Sequence, residues 1–228
     1  MGSGVAKQYL PLAGVPVLAR TLLVFQEAPC IDAIIVAVPK GDVQEVHREI
    51  IDRYGLTKVI QVVPGGSERQ ASVHNALRQT GPEWGIVLVH DGVRPLVTPS
   101  LIGQVTAAAK VHGAVTIGVP VKDTVKEVTV GGWVEKTLDR QRLWLTQTPQ
   151  GFARSILLAA YELAVAGGIQ ATDDAGLVEE LGIPVRMLPG EEWNIKLTTP
   201  ADFALAERLL AESAADRQGV TAGQDVPE

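Results

Sequence analysis

The chain runs to 228 residues, 46% hydrophobic and 20% charged, with a formal net charge of −6 at pH 7. That length and apolar content suit a single domain with one sizeable core, and the acidic balance excludes a general nucleic-acid binder, which needs a basic face, while leaving open a local basic pocket for a nucleotide. No run approaches the roughly 20 apolar residues of a membrane helix and no signal sequence opens the chain; the lone Cys30, beside Pro29 and Ile31, excludes an internal disulfide and reads as a packed thiol in a reducing cytoplasm.

Residues 1–6 are loop-like, and Lys7-Gln8-Tyr9-Leu10-Pro11-Leu12 follows with no strand before it. Residues 14–18 lead into an apolar-periodic stretch to Phe25 that predicts a short helix. Residues 32–38 (DAIIVAV) predict a parallel-type strand closed by Pro39-Lys40-Gly41, with Asp42 capping a helix to about Tyr54. The next strand covers 58–63. It ends in Pro64-Gly65-Gly66-Ser67-Glu68-Arg69-Gln70-Ala71-Ser72, a glycine turn running into a helix that closes near Thr80. Two glycines let backbone N–H groups approach a ligand, and the helix N-terminus adds partial positive charge beside Ser67, Arg69 and Ser72, which makes an anion or nucleotide cradle. The spacing of a Walker loop is missing, and such a turn by itself is more often only a turn.

The rest of the chain is arranged around residues 86–97, IVLVHDGVRPLV. Four consecutive branched apolar residues predict a strand buried on both faces, and it stops abruptly at His90-Asp91-Gly92-Val93-Arg94-Pro95. Ligands of open α/β sheets bind outside the carboxyl ends of the strands. A carboxylate and a guanidinium there point to a phosphorylated substrate and its metal, with a structural Asp-Arg pair at a turn as the even alternative.

Thr98-Pro99 predicts an N-cap and first helical turn, with the helix running to about His112, and residues 114–119 predict a strand. In residues 124–138, TVKEVTVGGWVEKTL, two β-rich arms flank Gly131-Gly132, a hairpin whose Val128, Val130 and Trp133 offer apolar surface to a second subunit. Residues 144–149 return to the body as a strand, and a helix follows over 154–166. Thr172-Asp173-Asp174-Ala175 opens the next helix, with acids suited to capping its first turn. Strands are expected at 185–188 and 193–198, a last helix from Thr199-Pro200 to near Leu210, and a disordered tail over 216–228. Alternating strands and helices imply an α/β fold with a doubly wound, mostly parallel sheet.

The motifs KQYLPLAGVPVL, GGSERQASV, VLVHDGVRP, VPVKDTVK, LTQTPQGF, TDDA and NIKLTTPAD, in this order, closely resemble the 2-C-methyl-D-erythritol 4-phosphate cytidylyltransferases of the non-mevalonate isoprenoid pathway. The resemblance covers residues 7 to about 210. It implies a Rossmann-like nucleotidyltransferase domain over 1–212 with an arm at about 124–140 and a tail over 213–228. It further implies a cytoplasmic homodimer that uses Mg2+ to join CTP and methylerythritol phosphate, releasing pyrophosphate, with no nucleic-acid or membrane partner. A ribitol-5-phosphate cytidylyltransferase is the alternative within this chemistry. A non-catalytic nucleotide-binding protein is the alternative outside it, as is a glycosyltransferase, though the Asp-x-Asp motif expected of the latter is missing at Asp91.

By the same resemblance Lys7 and Lys196 are transition-state cations, and Arg140 holds a phosphate bidentately. Asp91 serves the substrate diol or the magnesium, with Arg94 sharing its site. Thr124 and Arg140 reach the neighbouring subunit's methylerythritol phosphate, and Thr172 and Thr198 complete the substrate pocket. Gly66, Ser67, Arg69, Ser72 and Gly92 hold cytidine and triphosphate, with Ser67 at a position where the family varies. Family members open with an apolar strand and a loop resembling Ala-Ala-Gly-x-Gly-x-Arg-Met-Gly, of which Met1-Gly2 matches the end. The expectation is that Met1 is an internal methionine of a longer natural chain and that the chain as given binds CTP weakly. A divergent protein or a trimmed chain are the alternatives.

Overall fold

The computed structural model describes residues 6–221, with side chains to residue 212. A small antiparallel hairpin, β1 (Pro11–Leu12) and β2 (Val15–Pro16), leads into helix α1 (Val17–Glu27), whose buried positions recur at helical spacing as Leu18, Thr21, Leu22 and Phe25. Strand β3 (Ile34–Val38) pairs in parallel with β4 (Val59–Pro64). Between them the chain forms α2 (Val43–Val46), which continues as a π-helical stretch, His47–Asp52. Asp42 does not cap this helix. Its carboxylate accepts the Tyr9 hydroxyl at 2.7 Å instead.

Helix α3 (Arg69–Leu77) follows the glycine turn, and β5 (Ile86–Val89) follows α3. Helix α4 (Pro99–His112) begins as expected, with Thr98 Oγ1 accepting the Leu101 N–H at 3.1 Å. Strand β6 (Ala114–Pro120) runs out to the arm, β7 (Lys126–Val128) and β8 (Val134–Thr137), and β9 (Trp144–Ala153) returns. Then come α5 (Arg154–Gly167), α6 (Asp174–Glu179), β10 (Arg186–Pro189) and α7 (Pro200–Thr221).

The larger sheet has the order β10-β6-β9-β5. The α/β design holds, and the sheet is mixed rather than mostly parallel. β10 runs parallel to β6, but β9 is antiparallel to both β6 and β5. The physical reason is the arm: β9 returns from β6 through a hairpin, and an antiparallel return needs no crossover helix. Helices α1 and α4 cover one face through Phe25, Leu101, Ile102 and Val105, while α3, α5 and α6 cover the other around Phe152, Leu157 and Tyr161. The α4 face lies so close to β9 that a Cβ on Gly151 would come within 2.9 Å of Val105 Cγ1. Cys30 is packed in the first of these clusters, as expected.

Residues 193–198 form no strand. Their backbone is used elsewhere: Asn194 N–H bonds Glu191 O, Leu197 N–H bonds Val93 O, and the Asn194 carbonyl accepts Arg94. The last helix continues past Leu210 to Thr221, so it includes the first part of the segment expected to be disordered; residues 222–228 and the Met1-Gly2 sequence lie outside the described residues. Between β3 and β5 lies a cavity of about 1000 Å3, and across it these two strands share no ladder.

Candidate active site

Strand β5 delivers Asp91 to its carboxyl end, where the carboxylate meets three cations from three parts of the chain. Arg69, in the first turn of α3, places Nε 3.0 Å from Asp91 Oδ1; Lys196 Nζ lies 2.9 Å from Oδ2; Arg94 Nε lies 3.7 Å from Oδ2. The Asp91 side chain is 12% exposed, which would raise its pKa, but the hydrogen bond from Lys196 and the charge of Arg69 outweigh burial and bring it down to about 2. Asp91 is therefore an anion at any working pH.

Arg69 is held from its other side by Asp174, the first residue of α6, at 2.7 Å. Asp174 is fully buried and also accepts the Tyr161 hydroxyl at 2.5 Å. Burial would lower the Arg69 guanidinium, yet the two carboxylates hold it well above its ordinary range. Burial lowers Arg94 in part, and its NH1 donates to Asn194 O at 2.7 Å. His90, packed against the Phe25 ring, is pushed by burial down to about 4 and stays neutral. Its Nδ1 and the Nε of Arg94 are buried without a hydrogen-bond partner among the described residues.

The glycine turn adjoins this cluster through Arg69. A Cβ on Gly66 would fall 2.3 Å from Ala71 Cβ, so only glycine fits where the turn folds onto α3. The Gly66 N–H donates to Ser72 Oγ at 3.0 Å, and Ser72 in turn donates to the Glu68 carbonyl, so Ser72 closes the turn. Ser67 is exposed. Gly92 packs against α1, with its carbonyl accepting Thr21 Oγ1 at 3.1 Å. Lys7 comes to the same region by donating to the Thr198 carbonyl at 2.6 Å, while Thr198 itself is bonded to Asp202.

The structure thus gathers Asp91, Arg94, Arg69 and Lys196 into one cluster, with Gly92 beside Asp91 in sequence and the Gly66 turn adjoining it. Lys7 and Thr198 form a second pair, two residues along the chain from Lys196. It does not bring in Thr124 or Arg140. Both are exposed at the base of the arm, where Arg140 NH1 donates to Lys122 O, and among the described residues no hydrogen bond or ion pair joins either to Asp91. Thr172 is exposed just before α6.

The residue that sequence reasoning missed is Asp174. The Asp173-Asp174 doublet reads as helix capping, and only Asp173 caps, accepting the Gly176 N–H at 2.9 Å. Thr148, whose hydroxyl accepts the Asp91 N–H at 3.1 Å, gave no local signal at all.

One carboxylate ringed by cations does not make a magnesium cage. Both Asp91 oxygens are engaged by Lys196 and Arg69, and no group of three or more His, Cys, Asp or Glu side chains is gathered among the described residues. The donor set instead fits phosphate oxygens, with Asp91 as an acceptor for hydroxyls.

A twice-covered α/β sheet with a cluster of cations at a strand's carboxyl end, beside a glycine turn, has the layout of a nucleotide-binding α/β protein. The family model for 2-C-methyl-D-erythritol 4-phosphate cytidylyltransferase (IspD) matches residues 1–212, and the chain belongs to that family. It is 45% identical to the 2-C-methyl-D-erythritol 4-phosphate cytidylyltransferase of Geobacter metallireducens over 93% of this chain and 92% of that protein. It is 49% identical to the protein of the same name from Syntrophus aciditrophicus, over 92% and 90%. The crystal structure of 4-diphosphocytidyl-2C-methyl-D-erythritol synthase from Anaerococcus prevotii superposes with a TM-score of 0.82 at 32% identity, covering 92% of each chain.

Proposed function

We propose that this chain joins CTP to 2-C-methyl-D-erythritol 4-phosphate, giving 4-diphosphocytidyl-2-C-methyl-D-erythritol and pyrophosphate. The observation that carries the reading is the Asp91 cluster, in which Arg69, Lys196 and Arg94 set three positive charges at a strand end against the two carboxylates of Asp91 and Asp174. A phosphate monoester with a second pKa of about 6 is already largely ionised at neutral pH, so its oxygen attacks the α-phosphorus of CTP with little need of a general base. The new P–O bond forms as the bond to the β-phosphate breaks, and the electron pair leaves with pyrophosphate. The barrier is charge, because two anions meet. Lys196, half exposed beside Asp91, can swing to the phosphate oxygens, and Lys7 can meet them from the Thr198 side. Arg69, fixed between Asp91 and Asp174, stays in place as a preorganised charge. Asp91, once Lys196 leaves it, is free to accept hydroxyls of the methylerythritol.

Magnesium, held by the triphosphate rather than by a cage of these side chains, would reduce the nucleotide's charge; the protein's part is to hold the phosphates. Gly66, Ser67 and Ser72 border the nucleotide end and Thr172 and Thr198 the acceptor end. Residues 1–212 act as one domain. The arm, with Val130 and Trp133 exposed at its tip and Val128 and Val134 along it, packs on a second copy and brings Thr124 and Arg140 to the neighbouring site. No helix among the described residues is long and apolar enough to cross a membrane, and work in the cytoplasm suits the free Cys30. Pyrophosphate release from CTP should be at least tenfold faster with methylerythritol phosphate than with ribitol 5-phosphate, a bound set by about 1.4 kcal/mol of discrimination. Release with ribitol phosphate alone would overturn the assignment of substrate.

A further inference from the structure

Residues 193–198 belong to no ladder, yet Lys196 meets Asp91 at a set point, so other bonds have to hold the segment. One end is fixed through Glu191. Gln147, buried in β9, donates from Nε2 to the Glu191 carbonyl at 2.8 Å and accepts the Glu191 N–H at 3.2 Å. The far end is fixed by the Leu197 N–H on the Val93 carbonyl at 2.9 Å. Between them stands Asn194, fully buried and used by no step of the proposed reaction.

Asn194 bonds through both its side chain and its backbone. Its Nδ2 donates to the Thr148 carbonyl at 2.8 Å, and its own carbonyl accepts Arg94 NH1 at 2.7 Å. The same two partners hold Asp91. Thr148 Oγ1 accepts the Asp91 N–H at 3.1 Å, and the Asp91 carbonyl accepts the Arg94 N–H at 3.0 Å. Asp91, Thr148, Asn194 and Arg94 therefore close a ring of hydrogen bonds that joins the end of β5, β9 and the 193–198 segment. Lys196, two residues beyond Asn194, returns to this ring at Asp91 Oδ2, 2.9 Å away. Its main chain is pinned by Asn194 on one side and by the buried Leu197 on the other.

The Asn194 amide is a poor choice for stability alone. Its Oδ1 is buried without a hydrogen-bond partner among the described residues, a cost that an apolar side chain of similar size would avoid. What the amide adds is position, and a misplacement of about 1 Å can cost a hundredfold in rate. We propose that Asn194 is a positioning residue for Lys196: it ties the segment to the frame that carries Asp91, and so fixes where the lysine meets the phosphates.

The proposal rests on the reading of Lys196 as a phosphate-binding cation, so the test joins turnover to a measurement that needs none. Asn194→Ala should lower kcat by about tenfold or more and change KM for either substrate by less than about threefold, because a displaced cation weakens the transition state more than binding. In a Lys196→Ala chain the same substitution should cost less than about twofold, since no cation is left to place. A merely structural asparagine would slow both backgrounds alike. Asn194→Leu fills the space without a donor and should reproduce the alanine result; it carries the test if the alanine chain does not fold. In either variant the Leu197 amide should exchange at least about tenfold faster, with the amides of β6 unchanged. An equal loss in the two backgrounds, full turnover with leucine, or unchanged exchange at Leu197 would overturn the proposal. Normal turnover of Lys196→Ala itself would overturn the part given to that lysine in the reaction, and exchange at Leu197 would still decide whether Asn194 holds the segment.

Discussion

Replacing Asp91 with asparagine keeps the shape of the side chain and removes the one negative charge that Arg69, Lys196 and Arg94 share. An ordinary aspartate titrates at 3.8 and this one at about 2, a gap worth about 2 kcal/mol of folding free energy at neutral pH for so well buried a group. Part of the loss is softened, because Lys196 can turn to water and Arg69 keeps Asp174. Asp91→Asn should therefore cost about 2 kcal/mol at pH 7 and lower the Tm by roughly 4–8 °C in a chain of this size. The sign with pH follows from a lowered folded-state pKa. The contribution is complete above the unfolded value near 4 and disappears as pH falls through about 2. Urea unfolding of both proteins at pH 7 and at pH 3 should show the stability gap shrinking by about half at the lower pH. An undiminished gap at pH 3, or an asparagine variant as stable as the wild type at pH 7, would refute the picture of Asp91 as a buried anion held by its three cations.

Lys196→Ala should leave folding intact and lower turnover by roughly a hundredfold or more, the scale of a lost preorganised charge; normal turnover would remove Lys196 from the mechanism. Mixing Arg140→Ala chains with Lys7→Ala chains should restore part of the activity that each lacks alone, because one site of a mixed dimer would carry both residues. Absence of rescue after demonstrated subunit exchange would mean that the site is built within one chain.

Asp91 and Arg94 were legible in the sequence because a buried strand that stops at charged residues is a local pattern. Arg69 was legible as part of a glycine turn, but its anchor was not. Asp174 lies 105 positions away, and nothing near it distinguishes a capping acid from a buried one. Lys196 was visible only through family resemblance, since lysine is usually a solvated residue. Its segment also misled: 193–198 has strand composition, yet its backbone bonds serve Val93, Glu191 and Arg94. The cap at Thr98-Pro99 was read correctly, whereas Asp42, as good a cap by residue type, is taken by the distant Tyr9 hydroxyl. The direction of β9 was not readable, because residues 144–153 look the same run either way and the arm before them decides it.

The pairing of Asp91 with its cations also bears on ligand design. Arg69 and Lys196 already have a carboxylate partner in the protein, so a neutral nucleoside analogue placed beside them gains little from their charge and must displace existing bonds. A useful inhibitor should carry its own anion to take over Lys196 and a hydroxyl to occupy the Asp91 oxygen that Lys196 gives up. Potency would then depend less on filling the pocket than on matching both halves of that exchange.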